Sequence, residues 1–379
     1  MKPTGLFHVL PIAGMYMCRM LGLFLLIPVF TLYANKLTGA TPVLIGIALG
    51  AYGLSQGALQ IPFGLLSDKF GRKPMILLGL IMLATGSVIG ALSHSIYGMI
   101  AARVLQGMGA IGSVLMALVS DVTPESKRTP AMAMIGGSIG FSFNLALIVS
   151  PIMTHAYGLS GLFWLTFALA LLGMLLLTQV KSQDLTRTQY ELKFKAVFLN
   201  RALTELNLSI FFQHAIFTAT FFALPFYVKA AVATPWHFYL PTLCIAFLIA
   251  VPLLMMFEKK HKTRHFYLAC ILMMALAQIV MSRHEPSFAV FCGVMFMYFL
   301  AFNALEALLP SMVSKTAPEA LKGTAMGVYS SSQFLGIFAG GSLAGLVATH
   351  FSLTGVFAMN AILATVWLGL MAPKVKSAY

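Results

Sequence analysis

Long apolar runs separated by short polar breaks dominate the chain. A helix that crosses a bilayer needs about 20 mostly apolar residues, and the breaks leave twelve runs of that kind. The predicted spans are residues 8–32, 43–66, 74–93, 97–119, 130–154, 161–180, 203–229, 236–257, 265–282, 287–313, 322–349 and 353–372. The pattern therefore predicts an all-α membrane protein with twelve transmembrane helices.

Composition supports a membrane protein and argues against an enzyme. Hydrophobic residues make up 59% of the chain, charged residues 9%, and the mean hydropathy is +0.90. A soluble domain cannot hide that much apolar surface from water. The four cysteines lie inside apolar runs and have no metal or disulfide spacing. We find no catalytic, nucleotide or phosphate motif, so we expect no enzyme activity, no cofactor and no metal.

Positive charge predicts the orientation. Lys and Arg are retained on the cytoplasmic side of membrane proteins. With the N-terminus inside, most of the 24 Lys and Arg residues fall in cytoplasmic segments, so we expect both termini to be cytoplasmic. The net charge of +14 then reflects topology and contact with anionic membrane lipid, and it does not indicate a nucleic-acid partner.

An internal repeat divides the chain into halves. Short motifs recur at a constant offset of 194 residues: Val119-Ser120 as Val313-Ser314, Pro124-Glu125 as Pro318-Glu319, and Ala131-Met132 as Ala325-Met326. Six helices per half is an even number, so both halves have the same orientation. We expect two six-helix bundles, residues 1–180 and 203–379, joined by a cytoplasmic linker, 181–202.

A charged hairpin, residues 64–73 (GLLSDKFGRK), connects the second and third spans. We expect Gly64 to end one helix and allow close helix approach, and Gly71 to permit a tight turn. Asp68 can lie near a positive helix N-terminus. Arg72 needs a carboxylate, and Asp121 is a candidate because both lie at the cytoplasmic face. These five residues are predicted to form a latch.

The spacing of the hairpin resembles the signature loop of the major facilitator superfamily. The motifs RMLG at 19–22, IPFGLLSD at 61–68, PIMTH at 151–155, EALLP at 306–310 and GTAMGVYS at 323–330 resemble its YajR-type branch of bacterial drug-efflux-like proton antiporters. The resemblance implies the major facilitator fold, a monomer, and a latch that locks the outward-facing state. Members often carry a soluble domain after the last helix, which we expect to be absent here.

Ionisable residues within spans are the candidates for chemistry, since each costs about 2.5–3.5 kcal/mol at a helix centre. Arg19, His214 and Glu306 lie on helices one, seven and ten, which the resemblance implies line a central cavity. We predict that Glu306 and His214 carry protons, with Arg19 holding Glu306 ionised or binding an anionic substrate group. A structural ion pair and a core histidine are the alternative. Arg103 resembles a proton-relay motif, and a structural tie explains it equally well.

Polar side chains within the spans are candidates for the cavity wall. They are Gln56, Gln60, Asn144, Gln213, Asn303 and Gln333. Most are expected to bond helix to helix, and a minority to touch a ligand.

Three functions remain open. The favoured one is a transporter in a bacterial inner membrane that exchanges protons for an amphipathic organic small molecule, in the direction of efflux. A carrier of a polycarboxylate or siderophore-like anion, importing or exporting, is the first alternative. A receptor that binds ligand without transport is the second.

Overall fold

The computed structural model describes residues 9–180, 194–283, 287–318 and 321–372. The regular elements in these ranges are α-helices, which confirms the all-α prediction. They are α1 (Leu10–Phe24), α2 (Phe30–Ala34), α3 (Pro42–Phe70), α4 (Arg72–Leu92), α5 (Ile96–Met108), α6 (Gly112–Val122), α7 (Glu125–Gln179), α8 (Phe194–Leu199), α9 (Arg201–Ala231), α10 (Trp236–Lys259), α11 (Thr263–Arg283), α12 (Phe288–Thr316) and α13 (Lys322–Met371).

Nine helical segments in the described ranges are long and apolar enough to cross a membrane, with α5 and α6 counted together. Two of them, α7 and α13, are bent. Gly158 (φ 65°) interrupts α7 and Ser352 (φ 75°) interrupts α13. At 1.5 Å per residue, about 50 residues extend about 75 Å, more than twice the hydrocarbon thickness of a bilayer. Each bent helix therefore covers two of the predicted spans.

The predicted helix ends at the hairpin are wrong by several residues. Helix α3 does not end near Gly64 but continues through Phe70, and α4 begins at Arg72, two residues before Pro74. The turn is confined to Gly71, whose φ of 101° and ψ of 151° are accessible to glycine almost alone. Because one glycine makes the whole turn, the polar residues before it can remain helical.

The chain divides into two compact units, Met1–Glu191 and Leu192–Tyr379. In the first unit, α1 lies along α7, and α5 contacts both α3 and α4. In the second, α13 contacts α9 and α11, and α10 contacts α12. Residues 181–193 of the predicted linker and both chain termini lie outside the described residues, so the linker and the cytoplasmic termini stay predictions.

Two glycines set the position of α13 against α9. A Cβ added at Gly336 would lie 2.4 Å from the carbonyl oxygen of Phe211, and one at Gly340 would lie 2.1 Å from that of Ala215. The two backbones are therefore in direct contact, as small residues permit in membrane helices. This contact brings Gln333, one turn before Gly336, beside His214.

Candidate functional site

Four polar side chains from α9, α12 and α13 meet in the second unit, and we call them the Glu306 cluster: Gln213, His214, Glu306 and Gln333. Gln213 Nε2 donates to Glu306 Oε2 (3.1 Å), and Gln333 Nε2 donates to Glu306 Oε1 (3.2 Å). Gln333 Nε2 also lies 2.8 Å from His214 Nε2, and His214 Nε2 lies 3.7 Å from Glu306 Oε2. One amide thus bridges the carboxylate and the imidazole.

The two ionisable members of this cluster differ in exposure. The His214 side chain is 7% exposed and that of Glu306 is 40% exposed. Glu306 lies ten residues before the end of α12, about 15 Å along the helix and far from either terminus. The carboxylate is therefore the more accessible member, and the imidazole is its buried neighbour.

Aromatic rings surround the buried side of the imidazole. Phe217 and Phe302 stack with ring centroids 4.5 Å apart, and the His214 ring centroid lies 6.1 Å and 5.8 Å from theirs. Neither ring offers a hydrogen-bonding atom. The polar contacts of His214 are thus concentrated on its Nε2 edge, towards Gln333 and Glu306.

A buried hydrogen-bond network flanks the cluster towards the start of α9. Ser209 Oγ and Tyr267 Oη are 2.6 Å apart, and Trp367 Nε1 donates to Ser209 Oγ (3.2 Å) and Tyr267 Oη (3.3 Å). These residues tie α9 to α11 and α13.

A second buried network flanks it towards the end of α9. Asn360 Nδ2 donates to Thr220 Oγ1 (3.1 Å) and to Gln278 Oε1 (3.2 Å), while Gln278 Nε2 donates to Thr220 Oγ1 (3.0 Å). These bonds join α9, α11 and α13 at a second level.

The first unit contains a separate polar cluster around Arg19, which is 1% exposed. Arg19 Nη2 donates to Gln56 Oε1 and to the carbonyl oxygen of Gly109 (3.0 Å). Gln56 Nε2 in turn donates to Gln60 Oε1 (2.7 Å). The second terminal nitrogen, Nη1, has no hydrogen-bond partner among the described residues.

Arg103 lies on the same aromatic ring as Arg19. The guanidinium carbons of Arg19 and Arg103 are 5.9 Å and 4.9 Å from the centroid of the Tyr52 ring, a distance at which cation–π attraction operates. Arg103 Nη1 also donates to Gln106 Oε1 (3.0 Å), and Gln106 Nε2 donates to Ser87 Oγ (2.9 Å). Two buried cations in one unit are thus held by amides and a ring.

The latch residues meet at the hairpin. Arg72 Nη1 lies 2.5 Å from Asp68 Oδ1 and 2.6 Å from Ser67 Oγ, and Arg72 Nε donates to Asp121 Oδ2 (3.0 Å). Arg72 therefore joins the end of α3 to the end of α6, with both carboxylates at the same guanidinium.

Gly64 does not supply the close helix approach expected of it. A Cβ there would lie 3.5 Å from Ser113 Oγ, an ordinary contact, and the Gly64 carbonyl accepts a hydrogen bond from Ser67 Oγ (2.6 Å). The close approach occurs at Gly107 and Gly109 instead, where a Cβ would lie 2.3 Å from the carbonyl oxygens of Tyr52 and Gly79.

Asn144 on α7 and Asn303 on α12 are the remaining polar candidates. Asn144 Nδ2 donates to the Gly140 carbonyl oxygen within α7 (2.9 Å), and Asn303 Nδ2 is buried without a partner in the described residues. Arg19 belongs to the first unit and Glu306 to the second, so their predicted joint role stays a prediction.

The sequence did not single out Tyr52 or Gln106 as site residues. An aromatic or a polar side chain within an apolar helix usually indicates helix packing, and only the fold shows which arginines they contact. The 194-residue offset gives no such partner, because Ala246 and Leu300 stand at the corresponding positions of the second half.

Comparison with known proteins shows the family. The model of the Major Facilitator Superfamily matches residues 12–240 and 232–377. Inner membrane transport protein YajR of Escherichia coli is 46% identical over 92% of this chain and 79% of its own length. Uncharacterized transporter BU466 of Buchnera aphidicola is 34% identical over 86% of both chains. The tetracycline resistance protein, class H, of Pasteurella multocida is 30% identical over 36% of this chain and 34% of its own.

Solved structures share the fold at low identity. The nucleoside transporter NupG superimposes with a TM-score of 0.76 at 14% identity, covering 97% of this chain and 100% of that one. The human organic anion transporter MFSD10 gives 0.70 at 18% identity, with the same coverage of both chains. Apolar helices and an inner-membrane relative together establish a multi-pass protein of the bacterial inner membrane.

Proposed function

Because the chain belongs to the Major Facilitator Superfamily, we propose that it is a proton-coupled antiporter that moves an amphipathic organic small molecule outward by alternating access. We count twelve spans. The pair α1 and α2 forms the first span, and the pair α5 and α6 forms the fourth. Helices α7 and α13 form two spans each, and the others, α3, α4, α9, α10, α11 and α12, form one each. The distribution of Lys and Arg supports a cytoplasmic position for both termini.

The Glu306 cluster is the observation that supports proton coupling. A carboxylate at the middle of a membrane helix costs about 2.5–3.5 kcal/mol on insertion scales, so it persists where it is paired or used. Glu306 has two amide donors, an imidazole 3.7 Å away and a side chain that is 40% exposed. A closed, dry surrounding favours the protonated acid, and contact with water favours the carboxylate. Alternating access supplies both surroundings in turn.

The Arg72 contacts support a moving transporter over a static receptor. Arg72 pairs with Asp68 of the hairpin and with Asp121 of α6, and each of the two carboxylates is 36% exposed and in reach of water. Such a link is worth about 1 kcal/mol or less at an exposed site, weak enough to break in each cycle. A receptor that never changes state has no use for it.

Transport in proteoliposomes with an imposed pH gradient tests the proposal. Lipophilic dyes are offered alongside citrate-like and siderophore-like anions, with Glu306→Gln compared with Glu258→Gln, a control glutamate of similar exposure at the end of α10. Glu306→Gln is expected to lose gradient-driven movement of dye while retaining dye–dye exchange, because exchange needs no proton. Gradient-driven transport at the wild-type rate in Glu306→Gln would refute the role of Glu306.

A second candidate is a carrier of a polycarboxylate or siderophore-like anion. It is favoured by buried Arg19, whose Nη1 has no hydrogen-bond partner in the part of the chain that the structure describes. Movement of anions alone, abolished by Arg19→Ala, would establish it. Binding without movement of any compound would instead identify a receptor.

A further inference from the structure

The fourth predicted span of the first unit is broken where its counterpart in the second unit is continuous. Helix α5 ends at Met108 and α6 begins at Gly112, whereas α12 runs unbroken from Phe288 to Thr316. Among the described residues, no side chain caps the start of α6. The first N–H groups of a helix have no partner within it and carry partial positive charge. The break therefore creates a positive helix end inside the membrane span.

Three side chains face the same uncapped helix end. A Cβ added at Gly112 would lie 3.6 Å from Arg19 Nη1, 3.5 Å from Tyr16 Oη and 3.3 Å from Gln60 Nε2. Arg19 is 1% exposed, and its Nη1 has no partner in the described part of the chain. Groups able to donate hydrogen bonds thus surround the bare side of a glycine.

The internal repeat shows what is missing at this point. Gly112 lies 194 residues before Glu306, and Arg19 lies 194 residues before Gln213. In the second unit Gln213 donates to the Glu306 carboxylate and to the carbonyl oxygen of Phe302 (3.3 Å). In the first, Arg19 Nη2 donates to the carbonyl oxygen of Gly109 and to Gln56 Oε1, and Gly112, at the position of Glu306, has no side chain. The donor is present in both units and the acid in one.

Helices α1 to α6 also contain no substitute for that acid. Residues 9–67 and 69–120 contain no Asp or Glu, and the two acids between and after them, Asp68 and Asp121, bind Arg72. Arg19 and Arg103 are both buried. A buried cation is costly unless an anion accompanies it. Within helices α1 to α6, Arg19 therefore has no acidic partner, and its guanidinium lies next to the start of α6.

We infer that the bare side of Gly112 binds a carboxylate of the transported molecule, held by Arg19 Nη1, Gln60, Tyr16 and the first N–H groups of α6. The ligand carboxylate takes the place that the Glu306 side chain has in the second unit. A carboxylate suits a guanidinium and a helix N-terminus better than a neutral polar group. That this molecule is transported rests on the proposed function. The existence of the carboxylate site does not.

A substitution at Gly112 can place an acid of the protein itself in the proposed site. Gly112→Asp places a carboxylate among these donors, and Gly112→Asn places a neutral side chain of the same size. Without ligand, the midpoint of thermal unfolding of Gly112→Asp is expected to exceed that of Gly112→Asn by about 3 °C or more. The difference is expected to vanish in the Arg19→Gln background. An aspartate variant no more stable than the asparagine variant overturns the inference.

The wild-type protein provides a second test that needs no folded glycine variant. Sodium 1-naphthoate is compared with neutral 1-naphthamide at equal concentration and ionic strength. Naphthoate is expected to raise the unfolding midpoint of the wild type and naphthamide to leave it unchanged, with no naphthoate effect in Arg19→Gln. Equal responses to the two compounds would overturn the choice of a carboxylate.

These measurements separate the site from the transport proposal. The stability difference between the Gly112 variants requires no transport, and Glu306→Gln reports proton coupling without involving Gly112. If the stability difference is observed without coupled transport, the carboxylate site is supported and the proposed function is refuted. If coupled transport is observed without the stability difference, the proposed function is supported and the site is refuted.

Discussion

Replacing Gly340 by alanine is expected to separate α13 from α9. The added Cβ would lie 2.1 Å from the Ala215 carbonyl oxygen and 2.7 Å from its carbonyl carbon and Cα. Ordinary contacts begin near 3.4 Å, so the helices must move apart by about 1 Å. The obstacle is backbone within a helix, which cannot rotate away as a side chain can.

The energetic cost follows from this overlap. Inserting a methyl group into a packed interface costs about 1–3 kcal/mol, and a rigid neighbour favours the upper end. Gly369→Ala, in the same helix, is the matched control because nothing lies within 4 Å of an added Cβ. That substitution should stabilise the protein by about 0.5–1 kcal/mol, since alanine loses less backbone entropy than glycine in a helix. The two alanine variants should therefore differ by about 3 kcal/mol.

Thermal unfolding in detergent, followed by tryptophan fluorescence, measures the difference. For a unit of 150–250 residues, about 3 kcal/mol corresponds to a difference of about 6–12 °C in the unfolding midpoint. Coupled transport should fall in Gly340→Ala as well, since the shift moves Gln333 away from Glu306 and His214. A Gly340→Ala protein as stable as Gly369→Ala would refute the backbone contact.

Two further predictions concern the hairpin. Gly71→Ala is expected to lower the free energy of unfolding by about 1–3 kcal/mol, because φ of 101° with ψ of 151° is strained for any other residue. Gly136→Ala in α7 is the control and should not lower it, because the space around an added Cβ is open. Equal unfolding midpoints for the two variants would contradict the argument. A double-mutant cycle on Arg72 and Asp121 should give a coupling energy of about 0.5–1 kcal/mol. Solvent keeps this energy small because the Asp121 side chain is 36% exposed. A coupling energy of zero would remove this pair from the latch.

The helices could be predicted from the sequence because the bilayer imposes a length on apolar runs. Predicted span 236–257 corresponds to Trp236–Lys259, and 265–282 to Thr263–Arg283. The break between α5 and α6 could not be predicted in this way, because Gly109, Ala110 and Ile111 are as apolar as a continuing helix. Glycine is common in membrane helices and does not by itself indicate an interruption.

The candidate site was predictable in its ionisable residues and not in their partners. Glu306 and His214 are conspicuous because charge is rare within spans. Their bridging amide, Gln333, was one of six polar residues that the sequence could not rank. The choice depends on the contact at Gly336 and Gly340, which is a property of two packed helices and not of either sequence alone.

The two hydrogen-bond networks that flank the Glu306 cluster have a mechanical consequence. Ser209 and Thr220 are eleven residues apart, about 16 Å along α9, and each is fastened to α11 and α13. A rod fixed at two points resists bending between them. If Glu306 carries the proton as proposed, these two attachments favour rotation of its side chain, or a shift of α9, α11 and α13 together, over bending of α9 between Ser209 and Thr220.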